Sequence, residues 1–288
     1  MKKIGVFFVL AAILLMTACS ERSKESDIKV MTMNVRYDNP GDSMNAWPNR
    51  SKIVCDFILE KQPDIFGMQE VLWHQYSLLD SVLTGYSSSG VGRDDGAHGG
   101  EMNPIFFRKD RFELIRTLTF WLSETPDVPG SKGWGASLPR IVTWAELVKK
   151  DDHKHFFFFN THFAHDSDSA RIKSSEILID EVGRITEGVP FVITGDFNML
   201  PSSIGYKVLT GTPEKVSILE DSYFISAAKP SGPSYTFNGF SDNPGPGRID
   251  YIFVRTGMKV AGHSTVMKKS GNIFISDHWP VLSDVSLN

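Results

Sequence analysis

Beyond residue 27 the chain is written in short apolar runs, rich in β-branched and aromatic residues and separated by turn formers. Runs of this kind at residues 28–35, 64–69, 105–108, 112–121, 141–148, 155–162, 191–196, 249–254 and 281–286 predict strands. Phe156, Phe157, Phe158 and Phe159 stand in succession, so their strand is expected to be covered on both faces. A helical period shows at residues 51–60, where Ile53, Val54, Phe57 and Ile58 share one side. It shows again at 168–184 through Ile172, Leu178, Ile179 and Val182, with Asp168 in position to cap the helix. Hairpin-like stretches alternate with strand–helix–strand stretches, which indicates an α/β or α+β domain with more than one sheet face to cover. Loops rich in Gly and Pro at 90–100, 126–135 and 240–247 are expected to surround a site.

The first residues follow another pattern. Met1-Lys2-Lys3 precedes an apolar run at 4–16, too short for a membrane span and fitting the core of a signal peptide. The run ends in Met16-Thr17-Ala18-Cys19, which resembles the lipobox of bacterial lipoproteins, although an ordinary secretory signal is the simpler alternative. The lipobox implies removal of residues 1–18 and acylation of Cys19. Residues 19–27 would then be a polar tether, residues 28–288 one domain, and the protein an envelope component held to a membrane outside the cytoplasm. Cys55, on the apolar face of the first helix, reads as a small buried hydrophobe.

Composition narrows the function by exclusion. With 41% hydrophobic and 22% charged residues, the 288-residue chain is neither disordered nor fibrous. Lys+Arg number 30 against 34 Asp+Glu, a formal net charge of −4. That balance argues against a protein whose main task is to grip nucleic acid through its phosphates. Two cysteines support neither a disulfide framework nor a thiolate metal site.

Metal-binding and proton-handling side chains recur at the ends of the predicted strands. Asn34, Glu70, Asn160, His162, Asp196 and Asn198 follow this rule, and Asp277-His278 precedes the last strand. The spacing i, i+2 puts Asn160 and His162 on one face, and likewise Asp196 and Asn198. Glu70, Asp196 and Asp277, with Asn34 and Asn198 nearby, are hard oxygen donors that suit Mg²⁺, Mn²⁺ or Ca²⁺. Zinc would want more His and Cys.

Six segments carry a family resemblance: Thr32-Met33-Asn34-Val35-Arg36, Gln69-Glu70, Asn160-Thr161-His162, Gly195-Asp196-Phe197-Asn198, Arg248-Ile249-Asp250-Tyr251-Ile252 and Ser276-Asp277-His278-Trp279-Pro280-Val281. In this order they resemble the endonuclease/exonuclease/phosphatase superfamily, whose fold is called DNase I-like. The resemblance implies a four-layered α/β sandwich, two packed β-sheets flanked by helices, with all six motifs at one end. It also implies metal-assisted hydrolysis of a phosphoester by in-line attack of water. The metal would be held by Glu70, with Asn34 and Asp277 close by. His278, oriented by Asp250, would activate the water or bind the phosphoryl oxygens. Asp196 and Asn198 would position the water or a second metal, and His162 would bind phosphate or protonate the leaving group. A phosphate site also wants positive charge and donors, so Arg36, Arg140 and Asn160 are candidates for its wall.

Other residues read more plainly. His153 and His155 flank a hairpin tip, His74 is a surface or packing histidine, and Trp279 and Pro280 pack the loop that presents Asp277 and His278. Trp47, Trp121 and Trp134 read as anchors, while His98 lies in a Gly-rich loop and stays open as a pocket residue. The favoured substrate is a small, lipid-linked or sugar-linked phosphoester. An extracytoplasmic nuclease and a non-catalytic binding module on the same fold are the alternatives. A monomer without a stable hold on duplex DNA is expected.

Overall fold

A computed structural model describes residues 28–212 and 215–287; the expected leader, Cys19 and the whole tether lie outside the described residues. In chain order the first half comprises β1 (Ile28–Asn34), α1 (Trp47–Lys61), β2 (Ile65–Gln69), α2 (Trp73–Val82), β3 (Tyr86–Ser89), β4 (Ile105–Arg108), β5 (Phe112–Trp121) and β6 (Ile141–Lys149). The second half comprises β7 (His155–His162), α3 (Asp168–Thr186), β8 (Phe191–Asp196), α4 (Ile204–Thr210), β9 (Gly211–Thr212), β10 (Lys215–Val216) and β11 (Leu219–Asp221). It closes with α5 (Ser222–Ile225), β12 (Asp250–Arg255), β13 (Lys259–Thr265), β14 (Lys269–Ser270), β15 (Ile273–Phe274) and β16 (Val281–Ser286). Two six-stranded sheets result, ordered β13-β16-β1-β2-β4-β3 and β11-β12-β8-β7-β6-β5.

Both sheets are built alike. Each has one parallel pair at its centre, β1 with β2 and β7 with β8, and antiparallel neighbours outside it. The crossovers run through α1 and α3, which therefore cover the outer faces. On β1, Ile28 and Val30 enter the layer between the sheets, while Met31 and Met33 face Val54, Phe57 and Ile58 of α1. The four phenylalanines of β7 divide the same way. Phe156 and Phe158 pack between the sheets, and Phe157 and Phe159 pack toward Leu178 and Val182 of α3. Both faces are dry, which is why alternation is absent, and each buried phenylalanine contributes about 2–3 kcal/mol. The four-layered sandwich expected from the motifs is the observed architecture.

The layer between the sheets changes character along its length. Following inward positions toward one end, Val30 gives way to Thr32 and Asn34, and Ile65 to Gly67 and Gln69. Phe158 gives way to Asn160 and His162, Val192 to Thr194 and Asp196, and Ile252 to Asp250. Every one of these positions is buried. Register brings the polar ends together, since Asn34 pairs with Gln69, and Asp196 with both His162 and Asp250. Thr32 pairs with Val281, so the loop before β16 arrives beside Asn34.

Some elements depart from the expectations. Helix α1 begins at Trp47, four residues early, because Pro48 suits the first turn although the apolar stripe starts later. The cap of α3 is Ser167, whose hydroxyl accepts the Ala170 amide, and Asp168 is the first helical residue. Strands β3 and β13 were not legible, and helix α2 showed only as a helical stretch around His74. Strand β3 reads Tyr-Ser-Ser-Ser at a sheet edge, and β13 carries an irregularity between Val260 and Gly262. No helix among the described residues is long and apolar enough to cross a membrane.

Gly67 is required by close approach. A Cβ built there would lie 2.3 Å from the Asn160 side chain and 2.4 Å from Thr194 Oγ1. Gly67→Ala should destabilise the fold by about 3 kcal/mol or more, because it wedges the sheets and breaks the hydrogen bonds between them. Gly85→Ala, where nothing lies within 4 Å, is the control. Urea titrations of both should show a large loss for Gly67→Ala alone; equal midpoints would contradict this account.

Candidate active site

The polar end of the inter-sheet layer opens into a pocket of about 690 Å³. One sheet brings Asn34 at the end of β1, Glu70 just past β2, and Asp277-His278 before β16. The other brings His162 and Asp196 at the ends of β7 and β8, Asn198 just past β8, and Asp250 at the start of β12. Arg36, Glu70 and Asn198 have φ of 60°, 60° and 51°. Three non-glycine residues thus hold left-handed conformations one or two residues past strand ends, a strain of order 1 kcal/mol or more each.

Asn34 joins the two halves. Its Nδ2 donates to Glu70 Oε1 at 2.9 Å and to Asp196 Oδ2 at 3.0 Å, and its Oδ1 accepts the Arg36 amide at 2.9 Å. Tyr37 N–H donates to Glu70 Oε2 at 3.2 Å, and Ser276 Oγ donates to Asn34 O at 2.7 Å.

Two imidazoles face Asp196 from opposite sides. His278 Nε2 is 3.7 Å and His162 Nε2 is 3.6 Å from Asp196 Oδ2. His278 Nδ1 is 2.9 Å from Asp250 Oδ2. Burial disfavours charge on His278, but Asp250 and Asp196 outweigh it and raise its pKa well above the usual imidazole value. His162 moves the other way, pushed well down by burial and then by the positive charge of Arg140 and Arg93. Its Nε2 is 2.9 Å from Asn198 Nδ2, so the contact is satisfied with this nitrogen as acceptor. Burial, and then the charge of Asp250, push the Asp196 carboxyl up to about 7. The two rings are therefore pushed in opposite directions by their surroundings.

The wall opposite is basic. Arg140 is 4% exposed and lines the pocket. Its Nη2 meets His165 Nδ1 at 2.9 Å, whereas Nε and Nη1 are buried without a partner. Among the described residues no carboxylate is in ion-pair contact with it. Arg36 also lines the pocket, but its guanidinium is occupied by Asp42 through Nε at 2.9 Å and Nη2 at 3.0 Å. Asn160 does not reach the pocket. It is fully buried, donating to the carbonyls of Met68 and Pro104 and accepting from Gln69 Nε2 and Thr194 Oγ1. The expectation of a phosphate contact there is corrected: the i, i+2 rule gave the right face but not the depth.

The donor set fits a hard divalent cation. Glu70 and Asp277 carry carboxylates on one wall beside the Asn34 amide, with no thiolate nearby. Burial raises the Asp277 carboxyl, His278 opposes this, and Glu70 adds to it, so the two acids repel each other. A second group, Asp196, Asp250 and His278, offers ligand atoms within 4.8 Å of one another, and Asp250 Oδ1 is buried and unpartnered. His278 Nδ1 already sits at hydrogen-bonding distance from Asp250, which leaves its Nε2 as the atom this second group would offer.

Several pocket residues were not legible in the sequence. Glu101, Tyr37, Asp42, His165, Phe237 and Phe240 all line it, and Arg93 grips Glu101 at 2.7 and 2.9 Å. Glu101 ends the Gly-rich loop expected to border the site, and that loop was the available signal. His98 is outside the pocket, its ring stacked on Trp73 at 3.5 Å, and His74 pairs with Asp38 on the surface. Trp47, Trp121 and Trp279 are buried anchors.

Comparison with known proteins agrees with this geometry. A structure of an endonuclease/exonuclease/phosphatase from Bacteroides vulgatus is 40% identical, covers 91% of this chain and 99% of its own, and superposes with a TM-score of 0.85. A mannosyl-6-phosphatase from Bacteroides thetaiotaomicron is 34% identical, with 90% and 99% coverage and a TM-score of 0.83. Mouse Nocturnin is 26% identical over 67% of this chain, and the matched region spans 48% of Nocturnin's length. Residues 31–278 match the family defined by these enzymes, and the chain belongs to the endonuclease/exonuclease/phosphatase family.

Proposed function

We propose that this chain is a Mg²⁺- or Mn²⁺-dependent phosphomonoesterase that acts on a sugar phosphate outside the cytoplasm. The observation that carries the reading is Arg140, a buried guanidinium with two idle donors and no carboxylate partner. An unpaired buried cation is strongly unfavourable, and a phosphoryl group, whose several acceptor oxygens can engage a planar guanidinium two at a time, relieves it. A terminal phosphate offers three free oxygens where a diester offers two. The 34% identical mannosyl-6-phosphatase supports a sugar as the leaving group. The lipobox at Cys19 supports the location.

Each residue then has a task. Arg140 holds a phosphoryl oxygen and fixes the line of attack. The His278 imidazolium, locked through Nδ1 by Asp250, donates from Nε2 to a phosphoryl oxygen. Asp196 takes the proton of the attacking water, and Asn198 and Asn34 hold that carboxylate and its neighbours in place. A divalent cation at Glu70 and Asp277 would supply Lewis-acid stabilisation of the charge that develops on the oxygens.

A panel of mannose 6-phosphate, an aryl phosphomonoester, an aryl phosphodiester and a single-stranded RNA, each with Mg²⁺ or with chelator, tests the reading. Cation-dependent release of phosphate from the monoesters is expected. Preferential cleavage of RNA or diester would overturn the substrate assignment, and no turnover on any arm would favour a binding module. Asp196→Ala and His278→Ala should lower kcat about 10³-fold. Arg140→Met should raise KM for the monoester about tenfold to a hundredfold while raising the melting temperature, since it removes an unpaired buried charge. A loss of both stability and activity would show that Arg140 is merely structural.

A further inference from the structure

Arg36 lies among three carboxylates. Its Nε and Nη2 grip Asp42 at 2.9 and 3.0 Å, its Nη1 is 4.0 Å from Glu70 Oε2, and its Nε is 3.8 Å from Asp277 Oδ2. The left-handed φ of 60° directs the chain back over the strand ends, and the guanidinium rests on the Tyr37 ring at 4.5 Å. The Arg36 carbonyl is pinned by Arg50 and by Gln75, so the backbone of this residue is fixed from behind. A cation bound by Glu70 and Asp277 would share those two acids with the guanidinium.

We propose that Arg36 is an internal counter-charge that sets the affinity of the metal site. Without a metal it offsets the mutual repulsion of Glu70 and Asp277 and keeps them poised. With a metal its positive charge opposes the incoming ion, and Asp42 is the dock that retains it and screens it. The pair Arg36–Asp42 thereby holds the site open to exchange rather than permanently loaded. Coulomb's law gives the sign, because removing a unit positive charge at this separation must strengthen the attraction of the acids for a divalent ion. The inference rests on the assignment of Glu70 and Asp277 as metal ligands.

The test is calorimetric titration of Mn²⁺ into chelator-treated full-length protein, with melting curves recorded with and without the ion. Arg36→Gln should bind Mn²⁺ about tenfold more tightly, melt lower without metal, and show a larger metal-induced rise in Tm. Asp42→Asn should bind about tenfold more weakly, because it removes an acid and frees Arg36 toward the other two. Arg36→Lys, which keeps the charge, should stay within about threefold of the parent protein. Weaker or unchanged binding in Arg36→Gln would overturn the proposal, since a structural role would weaken both variants rather than move them in opposite directions. Glu70→Gln separates the two levels of the argument. If it leaves Mn²⁺ affinity unchanged, the metal assignment fails; if it weakens binding while Arg36→Gln does not tighten it, only the counter-charge role fails.

Discussion

The side-chain amide of Asn160 ties the two sheets together at the level where their shared layer turns from hydrocarbon to polar. Buried amides are unfavourable unless each donor and acceptor is met. Here Nδ2 meets the carbonyls of Met68 and Pro104 across the interface, and Oδ1 meets Gln69 and Thr194. Gly67 makes room for it. Without this closed knot the polar residues beyond would form an open seam between the sheets. With it, Glu70, Asp277 and His278 of one sheet and His162, Asp196 and Asp250 of the other are held in one geometry.

That geometry leaves charge deliberately unbalanced. On one wall Glu70 and Asp277 repel each other, offset by His278, Arg36 and Arg50. On the opposite wall Arg140 makes no ion-pair contact with an acid among the described residues. Neither wall can satisfy the other, since each is fixed to its own strand ends. A cation and an anion bound together answer both demands, and a metal with a phosphate ester is such a pair. His278 and His162 are pushed apart within the same site, because Asp250 and Asp196 outweigh burial at His278, whereas burial first and then Arg140 and Arg93 lower His162.

Much of the fold was legible because burial on two faces writes itself as apolar runs. Strands β4, β5, β7, β8 and β16 have the bounds their hydrophobic runs predict. Strand β3 did not announce itself, since an edge strand of serines has no apolar face to show. Helix α2 showed only as a helical stretch around His74 without bounds, because its ends lack the usual cap residues and its stripe is short. The site was legible where residues follow strand ends, as with Glu70, Asp196 and His278. It was illegible where loops fold back, as with Glu101 and His165, because loop direction leaves no periodic trace. Asn160 was misjudged as a phosphate contact, whereas Arg36 lines the pocket as expected. Both lie beside motif residues, yet one is sunk a layer below the pocket and the other already has a carboxylate partner.

The left-handed residues past the strand ends have a further consequence for anyone selecting variants of this enzyme. Glycine adopts that backbone freely, so at Arg36, Glu70 and Asn198 the strain it relieves would offset part of the stability lost with the side-chain hydrogen bonds. Those are also positions whose side chains line the pocket. A screen that rewards thermal stability alone would therefore tolerate changes there more readily than a screen for turnover. The two kinds of selection pull apart at these residues rather than across the molecule at large.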